Sequence, residues 1–353
     1  PLDALQAFTQ ETNAANLQAD ASVAELEGNG IPVDFHLSGA MTNSKVASAA
    51  TPATPVTLKV SDMFSLMPYE NSLVVLEMNG PQIKTVLERA YRNYYYYKYV
   101  SGYGGYSYYT TCMLDTNLGN QIVYQDTYPA LPDGDNVQAF YYGGVPIDFA
   151  DASTYYRVST VNYLAAGSCN FNDAGVTMWP LDQIVADTQF YVRDAVIHYI
   201  PTLAQPISPA IEGRIAFPPV VDITDVTYEP GNSVEATATF LDQAVAAPYT
   251  CAVDYGDGTG WEAGTVVGTT CTGPVHAYAA AGLHTITVKV TDSGGFTGWD
   301  TYEQQAFTFT GFQFPIRPVK PWFRAPAGST LSLEFTLGGE FGLNVLMPGY
   351  PKV

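Results

Sequence analysis

The residues able to do chemistry are few in this 353-residue chain, and they are dispersed. The four histidines, His36, His198, His276 and His284, stand far apart. None sits in an Asp/His/Asn cluster of the kind that holds a pair of metal ions for phosphoryl transfer. A lone histidine in such a setting is expected to be packed and hydrogen-bonded rather than a ligand. The cysteines, Cys112, Cys169, Cys251 and Cys271, show no C-x-x-C spacing, which argues against a zinc or dithiol redox motif. Asp254, Asp257 and Asp292 could offer oxygens to Ca²⁺, but they lack the alternating spacing of a calcium loop and suit turn capping better. No catalytic residue, no metal ligand set and no cofactor is expected.

Composition narrows the partners. There are 34 Asp+Glu against 14 Lys+Arg, a formal net charge of −20. A nucleic-acid backbone or an anionic membrane surface calls for the opposite sign. Hydrophobic residues make up 47% of the chain, enough for a core, so disorder is not expected. No apolar run approaches the roughly 18 residues of a spanning helix. An acidic, lysine-poor chain rich in Tyr, Thr and Asn, with an even cysteine count, reads as extracellular with two disulfides; four buried thiols in a cytosolic protein are the alternative. Beginning at Pro1, the chain reads as a processed or excerpted piece of something longer.

The elements that must position these residues fall into three stretches. Residues 1–215 mix helices and strands. Leu2, Leu5, Phe8, Ala15 and Leu17 lie at helical spacing, so an opening helix is expected. Strands are expected at Val33–Leu37, Val56–Val60, Leu73–Met78, Val137–Tyr142 and Tyr155–Val161. Gly80-Pro81 starts a helix with its apolar stripe on Ile83, Val86, Leu87, Ala90, Tyr91 and Tyr94. It runs into a Tyr/Gly segment, Tyr94 to Tyr109, which is either a loop whose rings pack locally or a contact surface. The residues Leu181, Ile184, Val185, Thr188, Val192, Ala195, Val196 and Tyr199 predict a further amphipathic helix. Residues 219–310 alternate strands, among them Val234–Phe240, Thr285–Val290 and Ala306–Thr310, with Gly/Asp turns, the texture of a sandwich. Residues 311–353 write only two or three strands, including Thr330–Thr336, too few to bury a core alone.

Ordered motifs in the first stretch carry a resemblance. They are Asn13-Ala14-Ala15-Asn16-Leu17-Gln18-Ala19-Asp20, Ser38-Gly39-Ala40-Met41-Thr42-Asn43, Met67-Pro68-Tyr69-Glu70-Asn71-Ser72-Leu73, Tyr155-Tyr156-Arg157-Val158 and Asn162-Tyr163-Leu164-Ala165-Ala166-Gly167. In order and spacing they resemble the C-terminal, substrate-recognition domain of secreted 5′-nucleotidases and UDP-sugar hydrolases. The resemblance implies that Tyr69 and Tyr163 sandwich a nucleobase and that Asn71 makes a polar contact beside the first ring. It also exposes departures. Asn43 stands where that family has a phosphate-binding Arg, so the guanidinium fork is lost. Cys169 stands where it has an Asp. A Cys112–Cys169 bond would turn a pocket loop into a staple. The family's hydrolytic chemistry belongs to a metal-bearing domain of which this sequence shows no sign.

Val253-Asp254-Tyr255-Gly256-Asp257-Gly258-Thr259, His276-Ala277-Tyr278, Gly282 and Val288-Lys289-Val290-Thr291-Asp292 resemble a PKD domain, an immunoglobulin-like sandwich. That implies a positive-φ turn at Gly258, capped by Asp257, with Cys251 and Cys271 joining two strands. The stretch Ala327 to Leu343 is similar to the opening of a β-module found at the ends of bacterial surface proteins.

The expected architecture is thus an α+β domain, an all-β sandwich and an incomplete β-module. The expected role is a non-catalytic extracellular structural subunit that assembles with copies of itself. Strand addition and Tyr-rich contacts would hold it together, with Tyr103, Tyr106, Tyr108, Leu331, Leu333 and Phe335 as assembly contacts. The nucleoside-recognition half of a secreted 5′-nucleotidase, and a surface adhesin, are the alternatives.

Overall fold

The computed structural model describes residues 1–39, 44–51, 53–100, 112–126, 134–229, 233–242, 248–307, 326–330 and 334–338. Contacts divide the chain into two compact units, Pro1–Phe217 and Pro218–Val353.

The first unit is α+β. Its central sheet runs in the order Ile184–Tyr191, Ser72–Asn79, Tyr155–Val161, Phe35–His36. The strand Ser72–Asn79 lies between two neighbours and is buried almost throughout, as its run of Leu73, Val74, Val75, Leu76 and Met78 requires. A second sheet is ordered Ile215–Ala216, Gln121–Tyr124, Val137–Tyr142, Val145–Pro146. The helix Gly80–Tyr95 forms where expected. Asn79 and Gln82 cap it reciprocally, Asn79 Oδ1 accepting from the Gln82 N–H and Gln82 Oε1 from the Asn79 N–H. Its stripe of Ile83, Val86, Leu87, Ala90, Tyr91 and Tyr94 is fully buried.

Three expectations need correction. The opening helix begins at Asn13, not near Leu2, because Thr12 accepts from the Ala15 N–H at 3.2 Å and caps it there. Leu2–Asp3 instead pairs with Lys45–Val46. Val56–Val60 is not a strand. Val56 and Val60 are exposed, and a helix Val60–Leu66 starts as Asp62 accepts from the Lys59 N–H at 2.7 Å. The stretch from Leu181 is mostly not helical: Ile184–Tyr191 is a strand paired with Ser72–Asn79, and only Val192–Tyr199 is helix. Residues 184, 185 and 188 are β-branched, and the central sheet had a vacant edge, so pairing outweighed the helical period. Thr188 Oγ1 donates to the Leu73 carbonyl at 2.7 Å, inside the register shift of that pairing.

In the described part of the tyrosine run, Tyr94 and Tyr95 are buried and Tyr96, Tyr97 and Tyr99 half-buried. Tyr96–Val100 continues the helix as a π-turn. The buried Asp126 carboxylate accepts from Tyr91 at 3.0 Å, from Tyr94 at 3.2 Å and from Tyr99. Tyr94 also lies 4.9 Å from Phe217.

One buried ion network joins distant parts of this unit. Arg214, 3% exposed, reaches both Asp20 carboxylate oxygens at 2.8 Å, Glu212, and the carbonyls of Asn16 and Thr116. Glu11 accepts the N–H groups of Glu212 and Arg214, both at 2.7 Å. Asp115 lies beside them; burial pushes its carboxyl well above the usual range.

The second unit is a sandwich. One sheet runs Val220–Glu229, Ser233–Leu241, Thr270–Thr272, Thr265–Val267, with His276–Ala277 also on Ser233–Leu241. The other runs Trp261–Ala263, Thr250–Asp254, Gly282–Thr291, Thr297–Ala306. Val234, Ala236, Ala238, Phe240, Val253, Ile286, Val288 and Val290 fill the space between them. The expected strand from Ala306 is in fact the end of Thr297–Ala306; residues 308–310 lie outside the described residues, as does most of 311–353. Cys251 and Cys271 belong to different sheets, so their disulfide ties the layers, with Cα atoms 6.1 Å apart. Closing a 20-residue separation stabilises by about 3 kcal/mol in the chain-entropy account. Gly258 has φ 88°, and Asp257 accepts from the Thr259 N–H at 3.1 Å. Gly256, φ 75°, admits no side chain: a Cβ would stand 2.3 Å from the Thr285 carbonyl oxygen.

Arg214→Ala leaves carboxylates uncompensated and should cost about 3–5 kcal/mol in urea unfolding followed by tyrosine fluorescence; Arg214→Lys, without the planar fork, should recover only part. His36 is fully buried between Ser159 and Ser38, at 2.8 and 2.7 Å, and burial lowers its pKa from 6.5 to about 3. Between those values the unfolded chain holds the extra proton, so stability falls as pH falls through that window, by about 1.4 kcal/mol per pH unit. Urea midpoints from pH 7 to 4 should show this slope, and His36→Gln should lack this contribution.

Candidate functional site

Strand register brings the two aromatic candidates to one end of the central sheet. Tyr69 and Asn71 lie on the loop that enters Ser72–Asn79, and Tyr163 lies on the short helix Asn162–Ala165 that leaves Tyr155–Val161. These strands are antiparallel neighbours with Leu73 opposite Val161, so the start of one meets the end of the other. The Ser72 N–H donates to Asn162 Oδ1 at 3.2 Å and ties the two loops. Tyr69 is 61% exposed and Tyr163 42%, so both rings have faces open to solvent. Asn71 is half-buried, and its carbonyl accepts from the Val192 N–H at 3.0 Å.

Arg193 supports the first loop and was not singled out from the sequence. It is 5% exposed, donates to the Met67 carbonyl at 3.2 Å, and lies 3.8 Å from the Glu70 carboxylate. Its guanidinium carbon stands 3.8 Å from the Phe64 ring centre. The signal for it was an arginine embedded in the apolar stripe of Val192, Ala195 and Val196, in a chain with few cations.

The third loop of the inherited pattern is fixed hard. Cys169 is bonded to Cys112, with Cα atoms 5.8 Å apart and a sequence separation of 57. Cys169 and Asn170 have φ of 53° and 61°, left-handed values that the surroundings must hold. Asn93 donates to the Cys169 carbonyl at 2.9 Å, and Arg89 donates to the Asn170 and Asn172 carbonyls, both at 2.7 Å. Arg89 also reaches Asp173 at 2.5 Å and holds that carboxyl below its usual range. Asn43, at the phosphate-contact position, lies outside the described residues.

The remaining candidates are accounted for singly. His198 is exposed and pairs with Glu25 at 3.0 Å. His276 bridges Glu262 at 2.6 Å and Asp257 at 2.9 Å while stacked on Tyr255; His284 stacks on Tyr278. Asp254 accepts from Gly256, Asp257 from Thr259 and Asp292 from Phe296, so each acid caps its own turn. Hydrogen bonding, led by the Thr259 hydroxyl, lowers the Asp257 pKa to about 2. Among the described residues no group of three or more His, Cys, Asp or Glu is placed to hold a metal ion, and no helix is long and apolar enough to cross a membrane. Of the assembly candidates, Phe335 is 39% exposed, and Tyr103, Tyr106, Tyr108, Leu331 and Leu333 lie outside the described residues.

Residues 2–174 match the family model of the 5′-nucleotidase C-terminal domain, and residues 216–306 that of the PKD domain. Similar solved structures include a 5′-nucleotidase precursor from Thermus thermophilus, at 21% identity and TM-score 0.45, covering 60% of this chain and 36% of that one. The NAD nucleotidase of Haemophilus influenzae matches at 16% identity and TM-score 0.43, covering 62% and 36%. The PKD1 domain of Vibrio anguillarum Epp matches at 26% identity and TM-score 0.19, covering 25% of this chain and 92% of that one. The chain thus spans only about a third of the length of these nucleotidases. No curated protein matches it. Residues 2–174 are a 5′-nucleotidase C-terminal domain, and a PKD domain follows it at residues 216–306.

Proposed function

We propose that this chain works outside the cell without hydrolysing anything itself, as a recognition and spacer part whose nucleotidase-type domain takes a neutral, ring-bearing ligand of the nucleoside class. The observation that carries this reading is that exposed Tyr69 and Tyr163 stand on two tied loops at the same end of the sheet. Two rings with free faces suit a flat heterocycle, and stacking on such a ring is typically worth about 1–3 kcal/mol. The matched region is the recognition domain alone. The phosphate end of a nucleotide finds less support. Cys169, where a nucleotidase would place an acid, is committed to a disulfide, and Arg89 and Arg193 are turned onto backbone carbonyls. The overall charge of −20 also opposes an anionic ligand. The two disulfides and the PKD domain favour an oxidising, extracellular setting.

A second reading, self-assembly, draws on the ten-residue strand Thr297–Ala306 at the end of its sheet order. A long terminal strand is a template for an added one. The N-terminal helix Asn13–Gly28 offers less, because it buries Ala14, Ala15, Leu17, Ala21 and Leu26 in its own unit.

Calorimetry should show adenosine bound more tightly than about 1 mM, near −4 kcal/mol, and AMP bound no better. Tyr69→Ala and Tyr163→Ala should each abolish that heat; an unchanged signal in both variants refutes the aromatic clamp. Light scattering decides the second reading. Assembly through strand pairing and aromatic contacts predicts a mass that rises with concentration and barely responds to salt, whereas a monomer at high concentration removes it.

A further inference from the structure

The PKD unit carries an exposed aromatic face that plays no part in the reading above. In the sheet Trp261–Ala263, Thr250–Asp254, Gly282–Thr291, Thr297–Ala306, the side chains of Val253, Ile286, Val288 and Val290 point into the core. Alternation therefore sends Ala252, Asp254, Thr287 and Lys289 to the other face. Register adds their neighbours. Lys289 lies opposite both Ala252 and Trp299, Thr287 opposite both Asp254 and Thr301, Asp254 opposite Trp261, and Ala252 opposite Ala263. Trp261 is 48% exposed and Trp299 68%, while the other described tryptophan, Trp179, is 2% exposed.

Between the two indoles, the inner strands present Ala252, Asp254, Thr287 and Lys289, with the short Ala263 and Thr301 beside the indoles on the outer strands. The tryptophans stand on the two outer strands, three strand spacings apart and offset by two residues along them, about 16 Å. Lys289 stands between them with its Nζ 4.0 Å from the centre of the Trp261 ring.

Large rings left in water on one face mark a binding surface. The chemistry around them selects the partner. An anionic polymer is opposed by the charge of −20. A purely apolar partner would leave the threonine hydroxyls and the lysine amine without partners. Among the residues named on this face there is one amine, Lys289, and one carboxylate, Asp254, so together they carry no net charge and complement an uncharged ligand. A pyranose has the required duality: an apolar C–H face that lies on the electron-rich face of an indole, and a rim of hydroxyls that exchange hydrogen bonds with Thr and Lys.

We infer that this face binds a neutral polysaccharide of flat, equatorially substituted pyranose rings, of the glucan or N-acetylglucosamine polymer kind. Trp261 and Trp299 each stack on one ring of the same chain, and Lys289 and Thr287 bond the hydroxyls between. A single sugar reaches one indole only, so the face favours polymer over monosaccharide.

The test is native affinity electrophoresis of the full chain in gels containing hydroxyethyl cellulose or glycol chitin. Retardation is expected in at least one gel. Trp299→Ala and Trp261→Ala should each weaken it tenfold or more, the double variant should abolish it, and Trp299→Phe, which keeps a ring, should retain part. Tyr69→Ala, in the other unit, should migrate as the parent. Free glucose or N-acetylglucosamine at equal sugar concentration should compete poorly. The inference is overturned by no retardation in either gel, by unchanged retardation of both Trp→Ala variants, by retardation only in an anionic polymer such as alginate, or by full competition from monosaccharide. It is equally overturned if Trp299→Ala abolishes a self-association seen by light scattering while the parent binds neither polymer.

Discussion

A buried guanidinium has to be surrounded by acceptors, and the first unit is organised around three of them. Arg89, Arg193 and Arg214 are 7%, 5% and 3% exposed, in a chain with only 14 cationic residues. Each one donates to main-chain carbonyls of segments remote in sequence: Arg89 to residues 170 and 172, Arg193 to 67, Arg214 to 16 and 116. Desolvating such a group is costly unless its forks are filled, so the loops that fill them are held in one arrangement. Arg214 does most, because it joins the first helix, the middle of the chain and the return strand Ile215–Ala216. Withdrawing cations from the surface also leaves that surface more acidic than the composition suggests.

The same arginines set what the aromatic end of the sheet can do. Arg193 fixes the loop that carries Tyr69, and Arg89 fixes the loop after Tyr163. A guanidinium engaged by carbonyls is not free to meet phosphate. The Cys112–Cys169 bond holds the loop after Tyr163 covalently as well. The buried polar chain of Gln18, Ser38, His36 and Ser159 adds a neutral core beneath the sheet, its histidine kept uncharged by burial. The result is a frame held by buried guanidinium groups and a disulfide, with Tyr69 and Tyr163 left exposed at one end of the sheet.

The PKD unit solves a different problem. With strands of alternating pattern and few long apolar runs, it closes its core between two sheets and ties them through Cys251 and Cys271. The stacked pairs Tyr255/His276 and Tyr278/His284 fill the end of the sandwich near the Gly256 turn, where the backbone comes too close for any side chain. Having met its core demand on one face, the second sheet is free to present Trp261 and Trp299 on the other.

Much was legible in the sequence. The Gly80-Pro81 helix start, the strands around Leu73 and Tyr155 and the Gly258 turn follow from local chemistry: caps, alternation and positive-φ glycines. The two cysteine pairings were expected only through the family resemblances, since bonds closing 57 and 20 positions are not set by local sequence. The elements misread from the sequence were those whose local pattern was ambiguous. Residues 184–191 satisfy a helical and a strand period alike, and only the vacant edge beside Ser72–Asn79 chose between them. Val56–Val60 alternates like a strand but found no neighbour. Arg193, and the shared face of Trp261 and Trp299, were invisible because they depend on which strands pair and in what register. The sequence by itself determined which residues prefer burial, bending or capping, since those are properties of single side chains and near neighbours. The tertiary structure alone decided which loops meet, which cations are buried and which rings stay open, because those follow from packing distant segments into one volume.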